Sequence, residues 1–179
     1  MTRLFVFATI ALLPFAAAAQ TSQPYAGLDN RPIKALSVQQ IDDLKAGRGM
    51  GLALAAELNG YPGPLHVLQL ADQLGLSADQ KARVSQMFDT MKEEAMRLGD
   101  RLVKQEASLD SLFADRRATV DTVAAATAEI GDTQGRLRAA HLKYHLAMLQ
   151  ELQPDQVRRY AELRGYTTGE TATPHRHRH

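Results

Sequence analysis

From Ser77 to Ala114 the apolar residues fall at Val84, Met87, Phe88, Met91, Ala95, Leu98, Leu102, Leu109, Leu112 and Phe113. Steps of three and four put them on one face of a helix, with no proline and a single glycine, Gly99, in the run. At the rise of an α-helix this segment is more than about 50 Å long. "DRRATVD" at Asp115 to Asp121 predicts a bend, and a second long helix follows from Val120 to Leu152. On it Val123, Thr127, Ile130, Gln134, Leu137, His141, Tyr144 and Met148 alternate in steps of four and three, a heptad seam with polar intrusions. Pro154 then restarts the chain as a final helix through "VRRYAELRGY".

Shorter helical patterns precede the long pair. "LSVQQIDDLKAG" predicts a helix capped by Ser37 and stopped by Gly47, and Met50 to Leu58 a second one closed by Asn59-Gly60. "YPGP" at Tyr61 to Pro64 forces a turn before a third, "LHVLQLADQLG", which ends at Gly75. No alternating run suggests a strand. The fold class is therefore all-α: a long, bent, antiparallel helical hairpin covered by short N-terminal helices. Two long helices with one apolar stripe each cannot bury both stripes alone, so a second copy of the chain is the other expected cover, in a homodimer.

The two ends of the chain do not belong to that domain. Arg3, the apolar run Leu4 to Ala19 and Ala17-Ala18-Ala19 before Gln20 match a cleaved secretory signal peptide over residues 1–19. The run is short for a bilayer span, so no stable membrane anchor is expected. Residues 20–35 are expected to form a flexible leader, 36–166 the hairpin domain and 167–179 a disordered His-rich tail ending in "HRHRH". Removing residues 1–19 lowers Lys+Arg from 21 to 20, equal to the 20 Asp+Glu, so the mature chain has no global field for nucleic acid. The absence of cysteine in an exported chain favours the bacterial periplasm over a disulfide-stapled extracellular module.

One short word recurs: "LSVQQ" at Leu36, "LSADQ" at Leu76 and "LQPDQ" at Leu152. Ser37 with Gln40 and Ser77 with Gln80 are capping boxes, a device for starting helices. The later two copies also bracket the long pair. With "AELNGYPGPLHVLQLADQLGLSADQ" and "HLKYHLAMLQELQPDQVRRY", that placement resembles the LTxxQ-motif periplasmic family of Spy/CpxP-type refolding chaperones and related heavy-metal sensors, over about Leu65 to Tyr166. Serine and glutamine replace the threonine of the motif in the two copies. The resemblance implies a helical hairpin that dimerises into a cradle, a role in envelope stress, and no catalysis.

His141 and His145 lie one turn apart on one helix, with Met148 a further turn on, so two neutral imidazoles and a thioether could face one ion. His66, then Glu57, are the first candidates to complete the set from the short helices. The resemblance adds that the sensors draw histidine, glutamate and methionine ligands from an N-terminal helix and the last long helix. The ion would be divalent: zinc, copper or nickel. The competing reading makes His141 a core histidine, Met148 a gap-filler and His145 a solvated edge residue. Alternating histidines in the tail are a loose second candidate.

Arg97, Arg101 and Lys104 form a basic strip beside Met87, Met91 and Met96, which suits adaptable contact with unfolded clients. Met87 and Met91 could equally be hairpin core. Glu93 with Arg97 and Asp100 with Lys104 read as solvated ion pairs. "GRGMG" has the glycines of a phosphate loop without its strand or its lysine. The expected function is a periplasmic, non-enzymatic stress protein. It acts as a holdase-like chaperone, as a heavy-metal sensor, or as a hairpin without a ligand, and unfolded proteins or an envelope-stress signalling partner are its expected partners.

Overall fold

The computed structural model describes residues 23–166. The predicted signal peptide and His-rich tail lie outside them. Among the described residues the secondary structure is helical: α1 Val38–Lys45, α2 Leu54–Glu57, α3 Pro64–Gln69, α4 Ala78–Ala114, α5 Val120–Glu151 and α6 Pro154–Leu163, with no strand. None is long and apolar enough to cross a membrane. The two long helices α4 and α5 pack against each other, and α1 to α3 lie on the hairpin.

Most boundaries follow from local chemistry. Ser37 and Ser77 each accept a hydrogen bond from the backbone N–H three residues on, and the side-chain oxygen of the glutamine there accepts one from the cap's own N–H. Thr119 caps α5 in the same way with Thr122, inside the stretch expected only to bend, and Arg116 at φ 55° makes the turn. Helices α2 and α3 are shorter than predicted. Met50 at φ 43° and Gly51 at φ 78° hold the chain in the left-handed region, so only Leu54–Glu57 of the Met50 to Leu58 segment is α-helical.

Two apolar clusters hold the hairpin. One gathers Val67, Leu74, Leu76, Val84, Met148, Leu152 and Tyr160 at the end where α3 and α6 meet the long helices. The other joins Leu44 of α1 to Ala95 and Leu102 of α4 and Ile130 and Leu137 of α5. The observed seam of α5 runs through Ile130, Thr133, Leu137, Ala140, His141, His145 and Met148. Thr127 and Gln134, expected on it, face solvent. A helix at 3.6 residues per turn drifts from a strict heptad, and the small Thr133 lets the helices approach where Gln134 would not pack. Helix α1 sits so close to α4 that a Cβ on Gly99 would lie 2.1 Å from the carbonyl oxygen of Leu44.

Candidate functional site

On each long helix, positions between the two clusters line a cavity of about 520 Å³ rather than packed core. Phe88, Met91 and Lys92 come from α4, and His141 and His145 from α5. The covering wall is the segment from Ala46 to His66, including Gly47, Gly49 and Gly51 of "GRGMG", Glu57 of α2 and Gly63 before α3. The glycines that were a weak phosphate-loop signal therefore form a thin wall. At Gly47, at φ 65°, a Cβ would stand 2.9 Å from the Lys92 carbonyl oxygen, so the loop lies directly on α4.

Glu57 is the polar anchor of this wall. It is 7 % exposed, and its Oε1 accepts the hydroxyls of Tyr160 at 2.5 Å and Tyr166 at 2.8 Å, with Arg164 Nε at 3.5 Å. The Tyr160 hydroxyl also accepts the Gly63 N–H at 3.5 Å. Burying a carboxylate costs several kcal/mol, and these donors offset it. Burial and the bond to Glu57 push the Tyr160 hydroxyl well above the ordinary tyrosine range, and Tyr166 moves the same way for the same reasons. Oε2 of Glu57 has no hydrogen-bond partner.

His145 is 7 % exposed, buried rather than the solvated edge residue of the competing reading. Its Nδ1 is 2.7 Å from the carbonyl oxygen of Tyr61, an acceptor only, so Nδ1 carries a proton and, in the neutral ring, Nε2 keeps a lone pair. Nδ1 is also 3.7 Å from Glu57 Oε2. Gly63 comes close to both groups: a Cβ there would lie 3.2 Å from His145 Nε2 and 3.3 Å from Glu57 Oε2. His141 is 3 % exposed and its Nε2 lacks a partner. Burial lowers its pKa below the ordinary histidine value, and the neighbouring His145 lowers it further against a smaller opposing pull from Glu94. At neutral pH it is an uncharged imidazole.

Four of the five residues expected around a metal, Glu57, His66, His141 and His145, thus line one cavity. Met148 does not. It is fully buried in the first apolar cluster against the α3 and α6 end, the gap-filling alternative. His66 stands at the rim with Nδ1 paired to Gln69 Oε1 at 2.9 Å. Among the described residues, no three His, Asp or Glu side chains stand close enough together to hold a metal ion. Tyr61, Gly63, Tyr160, Arg164 and Tyr166, which set this geometry, were not singled out in the sequence. The glycine-proline turn "YPGP" and the paired tyrosines after Pro154 were the visible signals.

The candidate client surface divides. Met91 is 7 % exposed and Met87 packs on the first cluster, so both serve the hairpin, while Met96 is 38 % exposed. Arg97 pairs with Glu93 at 3.9 Å on the surface, whereas the expected Asp100 to Lys104 pair is absent among the described residues. Arg101 and Lys104 border a smaller hollow of about 260 Å³ beside Gln105 and Glu129. Comparison with family models, with curated proteins and with solved structures finds no match to this chain.

Proposed function

We propose that this chain is a non-enzymatic binding protein of the bacterial periplasm, a stress protein responsive to a divalent metal ion. The observation that supports it is the state of His145. Its Nδ1–H is spent on the Tyr61 carbonyl and its Nε2 lone pair remains, the arrangement in which a backbone acceptor orients a metal-binding imidazole. His141, neutral and unpartnered at Nε2, and Glu57, unpartnered at Oε2, border the same cavity. These residues suit the ion: imidazole and carboxylate are ligands of zinc, copper and nickel, and a bound ion would supply a positive centre joining α5 to the covering segment. Because the donors stand too far apart as they are, gathering them requires the α2–α3 segment to shift, and that shift is the response to the ion.

Calorimetric titration with zinc, copper and nickel tests this on the full chain carrying His175→Ala, His177→Ala and His179→Ala, which removes the tail histidines. Heat should be lost in His141→Ala and in His145→Ala. Binding that survives both changes overturns the reading.

A holdase-like activity is the second reading, favoured by the exposure of Leu146 at 58 %, Leu149 at 40 %, Phe113 at 59 % and Val120 at 86 %. Leu146 and Leu149 share the outer face of α5, and a homodimer or an unfolded client would cover such a face. Metal-free protein should suppress aggregation of a reduced, unfolding client, and Leu146→Ser with Leu149→Ser should weaken that. No suppression at stoichiometric excess counts against a holdase.

A further inference from the structure

The cavity is much larger than an ion needs. At about 520 Å³ it falls within the roughly 300–1,000 Å³ of pockets that enclose small organic molecules. Its walls are apolar where a hydrated ion would want oxygen: Met50, Leu54, Leu65, Phe88 and Met91 line it. Met50, Leu54 and Leu65 are 42 %, 54 % and 41 % exposed, so three large apolar side chains stand open at one mouth. That clustering costs hydration free energy in the empty protein and is recovered when an apolar body enters.

The polar groups of the cavity select the head of that molecule. In the neutral ring His145 Nε2 is an acceptor, because Nδ1 donates to the Tyr61 carbonyl. Glu57 Oε2 is an acceptor without a partner, and His141 Nε2, also unpartnered, belongs to a side chain 97 % buried by its 3 % exposure. The head must therefore bring a donor. Charge argues against an ammonium: Arg164 already faces Glu57 at 3.5 Å, Arg48 is paired with Asp43, and Lys92 is exposed at the rim. A carboxylate head placed at His145 would lie beside the Glu57 carboxylate, a like charge.

We infer that the cavity binds a small, neutral, hydroxyl-bearing apolar molecule of the phenol type, its hydroxyl donating to Nε2 of His145 and its body lying against Phe88, Met91 and Leu54. This goes beyond the metal reading and does not depend on it.

The test uses 4-propylphenol and its methyl ether, 4-propylanisole, which share a body and differ in the donor. Binding is measured by calorimetry on the full chain in the presence of EDTA, so that no metal contributes. The phenol should bind at least tenfold tighter than the ether, because a buried acceptor rejects an analogue that cannot donate to it. His145→Ala should bring the phenol down to the level of the ether. Gly49→Leu should abolish binding of both. Gly49 is not at positive φ and its nearest neighbour to a Cβ is His141 at 4.0 Å, so the new Cβ enters beside His141 without a clash. Thermal melting verifies that each variant is folded. Equal affinity for the two probes, no binding of either, or unchanged binding in folded Gly49→Leu overturns the inference. Loss of metal binding with the phenol preference intact would sink only the metal reading.

Discussion

Gln80 and Gln156, 76 residues apart, exchange side-chain hydrogen bonds: Gln80 Nε2 donates to Gln156 Oε1 at 3.0 Å, and Gln156 Nε2 to Gln80 Oε1 at 3.3 Å. Each Oε1 also closes its own helix start, accepting from the backbone N–H of Ser77 at 3.1 Å or of Gln153 at 2.9 Å. The spare N–H groups reach the carbonyl oxygens of Glu151 and Leu74. The last two copies of the repeated word are one structural unit that joins the start of α4 to the start of α6. Gln40, in the first copy, caps only its own helix.

Gln80→Ala and Gln156→Ala should each destabilise the protein, and the double variant should cost less than their sum. A coupling of about 0.5–3 kcal/mol is expected for side chains sharing one part-buried network. Urea denaturation of the four proteins in a double-mutant cycle measures it. Strict additivity would show that the glutamines act only as separate caps.

Tyr160→Phe removes the hydroxyl that donates to Glu57 at 2.5 Å and should lower stability by about 1–3 kcal/mol. It should also change the alkaline limit. The folded state holds the Tyr160 proton above the ordinary value of 10.0 that the unfolded chain recovers. The contribution is thus complete below that value, and stability falls as pH rises past it, because the unfolded chain then binds fewer protons than the folded one. Comparing urea midpoints at about pH 8 and about pH 10.5 should show a smaller loss in Tyr160→Phe than in the parent.

Gly63→Ala adds a methyl 2.9 Å from His145 Cε1, at a residue whose φ of −94° any amino acid adopts. The penalty is contact alone, about 1–3 kcal/mol. Because the groups pushed apart are His145 and Glu57, ligand affinity at the cavity should fall more than global stability. Calorimetry beside thermal melting separates the two, and an unchanged affinity would argue that this pair lies outside the binding site.

Gly99→Ala meets a backbone atom, the Leu44 carbonyl oxygen at 2.1 Å, which no side-chain rotation relieves. The expected cost is at the upper end of the ~1–3 kcal/mol of overpacking. It should appear as detachment of α1, with faster hydrogen exchange from Val38 to Lys45 while α5 stays protected. Uniform loss of protection would instead make α1 part of one cooperative unit with the hairpin.

Sequence alone determined the two long helices almost to the residue, because capping and apolar periodicity act within a few residues of each other along the chain. Ser77 caps α4 as read, and α5 begins at Val120 as read. It also placed His66, Glu57, His141 and His145 as candidates, since residue type and spacing are local facts. Only the tertiary structure decided how they are used. Met148 went to the core and His145 inside, because the α5 stripe is read by what packs on it, not by its period. Glu57 became an anchor because Tyr160 and Tyr166, more than a hundred residues on, fold back to donate to it. The cavity itself exists because left-handed turns at Gly47, Met50 and Gly51 hold a thin loop over the hairpin, and spacing along a chain carries no signal for empty space.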